Sequence, residues 1–433
     1  MKPSRPSRSP DLVGVVLLVC GAVACSGGAH ANAVADGGGA DTGAGTDGGG
    51  SQDSGTGDVD NGAPSTTYPA YQPPVPQLVL SSANGTVMPS PQVRPIYFAG
   101  DTVATDVDAF LSQWLSSAQW TAATHEYGIG PAALATPVML TETAATTLTD
   151  ADIQTWLQGK LDATNPAFGP VDGPTLANEI FMIFYPETTT VTAFGGTSCT
   201  DFSGYHTETA IGANKIAYVV LVLCPGDTTH DLELLSSAES LATAGDPFDD
   251  SQRGYASYDV AHVAWNTFYG EDALSELPTT CAFYDTDDDG GLPYALSWSN
   301  AAMAGYHQPC VPMADAGPYF ASVPVMNDAV TFQTYQTYTT KGVLVPVGQS
   351  VTVEVQLLSD GATSGPWGVS AAVMPSSGLP STALSFAFDR DAGINGEKLH
   401  LTITANQAGA TPFVVTSTLG TQQTFWAGIV AQN

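Results

Sequence analysis

The run Asp285-Thr286-Asp287-Asp288-Asp289-Gly290 alternates carboxylates and closes on a glycine, as a calcium loop begins. A hard cation takes several oxygens, and the glycine permits the sharp turn between them. Asp285, Asp287 and Asp289 are the candidate calcium ligands. The full motif needs a bidentate Glu seven residues beyond Asp289, where Leu296 stands. The remaining oxygens must therefore come from elsewhere, and an acidic hairpin tip is the competing reading. His206, His230, His262 and His307 form the second set, since imidazoles brought together by a fold bind zinc. None has a partner at helical or hairpin spacing, so hydrogen-bonded or surface histidines are the alternative. The sequence contains no Gly-x-Ser-x-Gly elbow and no phosphate-binding glycine loop, which argues against serine hydrolase and nucleotide chemistry.

Four further cysteines fix the compartment. Cys25 closes the uncharged run Leu12 to Ala24, behind Lys2, Arg5 and Arg8, and follows the small residues Ala22-Val23-Ala24. This reads as a lipoprotein signal over residues 1–24 with Cys25 lipidated, the run being too short to span a bilayer. Ordinary cleavage after Ala24 or Ala33 is the alternative. In an exported chain Cys199, Cys224, Cys281 and Cys310 read as two disulfides. Three pairings are open, with Cys199 to Cys224 and Cys281 to Cys310 favoured. A zinc site of four thiolates lacks the close C-x-x-C pairs such sites use.

Residues 25–76 are expected to be a disordered tether: Gly28 to Ser65 is almost entirely Gly, Ala, Asp, Ser and Thr, and Tyr68 to Pro76 is a proline-rich spacer. With 10 Lys+Arg against 42 Asp+Glu, the formal charge of −32 repels nucleic acid and anionic headgroups. The expected membrane link is the lipid anchor alone, and the expected partner is an extracellular protein or polysaccharide.

Residues 77–320 mix helix and strand. Val107, Phe110, Leu111, Trp114 and Leu115 share one helical face; Thr149 and Asp152 make a capping box ahead of Ile153, Trp156, Leu157 and Leu161. The runs Ile180 to Tyr185 and Ile216 to Leu223 read as buried central strands. The sum is a layered α/β domain, helices packed on a mixed sheet. Residues 321–433 switch to strict alternation, as in Val351, Val353, Val355, Leu357 and again Leu399, Leu401, Ile403. This predicts a separate all-β, immunoglobulin-like sandwich.

Between Pro91 and Pro312 several motifs occur in order: Ile96-Tyr97-Phe98, Tyr127-Gly128-Ile129-Gly130, Leu148 to Ile153, Cys199 with Gly204-Tyr205-His206, Cys224-Pro225-Gly226, Asp246-Pro247-Phe248, Ala264-Trp265, Gly270-Glu271, Cys281 and Trp298-Ser299-Asn300. In this order they resemble the phosphate-induced, EXORDIUM-like secreted proteins of plants and their bacterial relatives. Many bacterial members look like zinc peptidases, with His-Glu-x-x-Glu on the helix before the Asp-Pro and a Gly-Glu-x-x-Asp segment further on. That implies a zinc-peptidase-like α/β fold with Glu239 as general base. Here Ala238 stands at the His position and Ala242 at the second Glu, while Glu271 survives without the expected acid after it. Together with the signal segment and Cys25, the lost positions give the expected reading: a decayed peptidase-like domain on a surface-anchored lipoprotein of the outer membrane or cell surface, with a non-catalytic binding or adhesion role. Two alternatives stay open: a zinc endopeptidase drawing ligands from His206, His230 or Glu271, and a calcium-dependent adhesin using Asp285 to Asp289.

Overall fold

The computed structural model describes residues 60–161, 168–169, 172–268, 275–282, 292–313, 317–334, 336–374 and 380–433. Cys25, Glu271, Asp285, Asp287 and Asp289 lie outside them. The first region is organised on a six-stranded mixed sheet. Gln92–Tyr97, Glu179–Tyr185 and Asn214–Val222 run parallel in its centre, and Gly204–Ile211 closes one edge antiparallel to Asn214–Val222. The two central runs are apolar at successive positions because both faces are covered. Ile180, Met182, Val219 and Leu221 pack toward the helices Ala104–Leu115 and Thr229–Gly245; Phe181, Ile183, Tyr218 and Val220 pack toward Asp150–Lys160. The anticipated stripe on Ala104–Leu115 is buried residue for residue, and the Thr149/Asp152 box forms, with Thr149 N–H donating to Asp152 Oδ2 at 2.9 Å.

The expected fold class needs correction. Strand outweighs helix, 39% against 20%, so this is a mostly β chain and not an α/β fold of zinc-peptidase type. The physical reason lies in the connections. Segments such as 128–149 and 186–203, and the described parts of 246–313, are rich in Gly, Pro, Thr and Ser, and they form short strands, isolated turns and 3₁₀ pieces instead of long covering helices. The sandwich adds the rest. Phe320–Pro324, Ser350–Ser359, Lys398–Ala405 and Leu384–Phe388 make a four-stranded sheet, and a six-stranded sheet centred on Gln422–Gln432 and Gly409–Leu419 faces it. Val355, Leu357, Leu399, Leu401, Ile403, Phe413 and Val415 are buried between them, as the alternation requires.

The two regions share a core. Trp265 meets Trp426 edge-on at 5.7 Å between ring centroids, Phe268 meets Phe425 at 6.4 Å, and Thr267 Oγ1 lies 3.1 Å from Met374 Sδ.

Residues 60–76, expected as the end of a free tether, are instead strapped to the sandwich. Asn395 is the buckle. Its Nδ2 donates to the carbonyls of Ser65 and Thr67 at 3.0 and 2.8 Å, while its Oδ1 accepts from Ala70 N and Ser359 N, both at 3.0 Å. Gly396 follows at φ +94°, where a Cβ would lie 2.5 Å from the Ala63 carbonyl oxygen, so glycine is required for the strap to pass. Asn395→Ala leaves these backbone groups without partners, and we expect it to cost about 1–3 kcal/mol. Limited proteolysis reads it: cleavage near Tyr71 should become fast in the variant, and an unchanged digestion pattern would contradict the buckle.

Candidate functional site

The chemistry-bearing side chains converge where the edge strand Gly204–Ile211 passes the C-terminal half of the helix Thr229–Gly245. His206 pairs directly with Val219, and cross-strand partners share a face, so its ring projects toward the helix that carries Glu239. The helix is launched by a capping box, Thr228 with Asp231, and ends at Asp246, its C-cap. Leu232, Leu235 and Leu241 bury it against the sheet, which fixes the rotation that aims Glu239 inward. Glu276 arrives from a later segment, held by Ser275 Oγ donating to the Trp265 carbonyl and Trp298 N to the Leu277 carbonyl, and pinned just beyond by the Cys281–Cys310 disulfide.

His206 Nδ1 lies 3.5 Å from Glu239 Oε2, and Nε2 lies 3.7 Å from Glu276 Oε1 on the opposite side of the ring. Nε2 is also 3.1 Å from the Asp246 carbonyl oxygen. The Asp246 carboxylate completes the group: one ligand atom each from His206, Asp246 and Glu276 all lie within 4.8 Å of one another. Its Oδ1 accepts from Gly254 N at 2.6 Å. Only glycine fits at 254, since a Cβ there would stand 2.0 Å from the Gly245 carbonyl oxygen. Asp249 stands nearby with its Oδ1 accepting from Thr207 Oγ1 at 3.0 Å.

The cluster is sealed. His206 is 3% exposed, Glu276 1%, Glu239 and Asp246 0%. Burial by itself opposes the imidazolium, but the carboxylates of Glu276 and Glu239 outweigh it and push His206 up to about 10. Burial pushes Glu276 up to about 8, against the opposing pull of His206, and pushes Asp249 up to about 7. Burial also raises Asp246.

Of the residues expected from sequence, the fold brings together His206 and Glu239. His230 sits exposed in the first turn of the same helix, nine residues from Glu239 and so about 13 Å along the axis. His262 and His307 are held elsewhere, each by its own carboxylate: Nδ1 of His262 lies 2.9 Å from Asp259 and that of His307 2.8 Å from Asp360. Both disulfides form with the favoured pairing, Cys199–Cys224 and Cys281–Cys310. Asp246, Asp249 and Glu276 were not anticipated as site residues. The signals available were an Asp-Pro step at the helix end and an acid five residues before a cysteine; neither carries the long-range proximity.

A cavity of about 680 Å³ lies apart from this cluster, walled by Tyr71 and Pro74 of the strap, by His262, and by Met326, Lys341 and Trp426 of the sandwich.

No protein-family model matches the chain, and no curated protein matches it. Similar solved structures include the S-layer protein SbsC domains 4 and 5, at 19% identity over 25% of this chain and 46% of that one, with a TM-score of 0.17. The titin M3 domain is similar at 12% identity over 27% of this chain and 96% of that domain, TM-score 0.17. The twitchin kinase region of C. elegans is similar at 15% identity over 27% of this chain and 16% of that one, TM-score 0.17. The chain thus spans less than half the length of the S-layer fragment it matches.

Proposed function

We propose that this chain is an exported surface protein whose role is non-catalytic binding or adhesion, held at the outer membrane or cell surface by lipid on Cys25. The observation that carries the reading is the sealing of Glu239. A general base must come within hydrogen-bond reach of a substrate proton, directly or through one water. Glu239 is 0% exposed and faces an imidazole that is itself buried. Two disulfides in a chain of this acidity support the extracellular location. The EXORDIUM-like resemblance belongs to the same proposal, because it implies secreted or wall-associated relatives.

Protease treatment of intact cells and a peptidase assay test the two halves together. The expected result is that external protease removes the protein from whole cells, that Cys25→Ser releases it from the membrane fraction, and that the purified chain leaves an unfolded peptide mixture intact. Chelator-sensitive hydrolysis abolished by Glu239→Gln would overturn the non-catalytic reading. Protection of the protein in intact cells would overturn the surface location.

A further inference from the structure

The buried cluster leaves polar atoms unpaired that a folded core does not tolerate without reason. Among the described residues, both carboxylate oxygens of Glu276 and Oδ2 of Asp246 have no hydrogen-bond partner, and both residues are essentially inaccessible. Leaving an ionised carboxylate buried and unpaired is costly, and such groups in native proteins are paired or coordinate a metal. These oxygens flank the His206 imidazole, and the Glu239 carboxylate on its Nδ1 side is likewise without a hydrogen-bond partner among the described residues. Nε2 of His206 looks toward Glu276 and Asp246, whereas Nδ1 looks toward a separate carboxylate, Glu239. A carboxylate beside one ring nitrogen, with the other nitrogen turned toward prospective ligands, is the arrangement by which proteins orient a metal-binding histidine; Nδ1 and Glu239 Oε2 stand 3.5 Å apart and would close to a hydrogen bond as Nε2 gives up its proton to bind the ion.

We propose that Nε2 of His206 and one carboxylate oxygen each from Asp246 and Glu276 form a buried site for a divalent transition cation of the zinc type, with Glu239 orienting the ring through Nδ1. An imidazole with a small number of oxygens selects zinc-like ions over calcium, which requires six to eight oxygens. The ligand atoms, now within 4.8 Å of one another, would draw in to about 3.3 Å, the edge of a tetrahedron with zinc bonds near 2.0 Å. The Asp246 carbonyl oxygen, 3.1 Å from Nε2, stands where it can complete the shell once Nε2 gives up its proton. The ligands are closed to solvent, so the cation is structural: it ties the edge strand, the end of the helix and the segment pinned by Cys281–Cys310 at one point. None of the three ligands occupies the positions where the resemblance placed a peptidase metal, which are 238, 242 and 271.

The test uses the whole exported chain, purified without a histidine tag. Metal content is measured by elemental analysis as isolated, after prolonged warm incubation with a chelator, and after zinc, manganese or calcium is returned; thermal unfolding is followed in parallel. The expected result is a single equivalent of zinc and a higher thermal midpoint when it is bound. Glu276→Gln and Asp246→Asn should abolish stoichiometric uptake, and Glu239→Gln should weaken it by about 10–100-fold. A folded wild-type chain that neither carries nor takes up zinc overturns the proposal, and this arm stands even if a variant fails to fold. Zinc uptake unaltered in the folded Glu276→Gln and Asp246→Asn variants also overturns it, as does stabilisation by calcium without zinc.

Discussion

Trp265→Ala destabilises the chain by about 3–5 kcal/mol, the range for truncating a buried tryptophan. Trp265 is buried and touches aromatic rings on both sides of the junction: Tyr258 at 5.8 Å, Phe268 at 5.0 Å and Trp298 at 5.3 Å in its own region, and Trp426 at 5.7 Å in the sandwich. Removing the indole empties the place where the two cores meet. The expected calorimetric result is therefore more than a lower midpoint: a single transition should separate into two as the sandwich and the first region lose their coupling. Trp265→Phe should cost much less, because it keeps a ring in the junction and removes an indole N–H that has no partner among the described residues. If Trp265→Ala unfolds in one undivided transition at the wild-type temperature, the shared core does not couple the regions.

Arg94→Met is expected to cost about 3–5 kcal/mol, the range for breaking a buried ion pair from one side. Arg94 Nε donates to Glu179 Oε1 and Nη1 to the Thr136 carbonyl at 2.9 Å, so one guanidinium ties two neighbouring strands to the following loop. Burial already raises the Glu179 pKa against the pull of Arg94. Without the guanidinium the carboxylate is left alone in the core. The sign of the pH dependence follows. A carboxyl whose folded-state pKa lies above its unfolded value weakens the fold at high pH and recovers as pH falls through the folded value. The deficit of Arg94→Met should therefore shrink in mild acid, and Arg94→Met with Glu179→Met should recover most of the loss at neutral pH. Chemical denaturation across pH checks both; a deficit that grows in acid would refute the assignment.

The helical faces and the sandwich strands were legible because each rests on a short period. Val107 to Leu115 repeats at helical spacing and Leu399 to Ile403 at strand spacing, and both patterns answer to a single buried face. The class of the whole was not legible. Periodicity finds strong elements and passes over two-residue strands such as Ala133–Leu134, Val138–Met139 and Ser297–Trp298, and it does not show how little helix the connections between strong elements contain. The site was half legible. His206 and Glu239 could be singled out by residue type and motif, but their meeting with Asp246 and Glu276 depends on a cross-strand register and on a disulfide 29 residues wide. No local pattern encodes either. Asn395-Gly396 is locally only a turn signal, and the task of Asn395 as the buckle of the strap depends on residues more than 320 positions away.

The strap decides how the molecule carries load. Tension passed to residue 60 from the N-terminal side meets Asp60 paired with Lys398 Nζ at 2.7 Å, the Asn61 carbonyl accepting from Lys398 N at 2.8 Å and Ser65 N donating to the Asn395 carbonyl at 2.8 Å. The pull is thus taken up by the C-terminal sandwich before it can reach Gln77 and the sheet that follows. A molecule wired in this way bears shear on its β-sandwich and spares the region that houses His206.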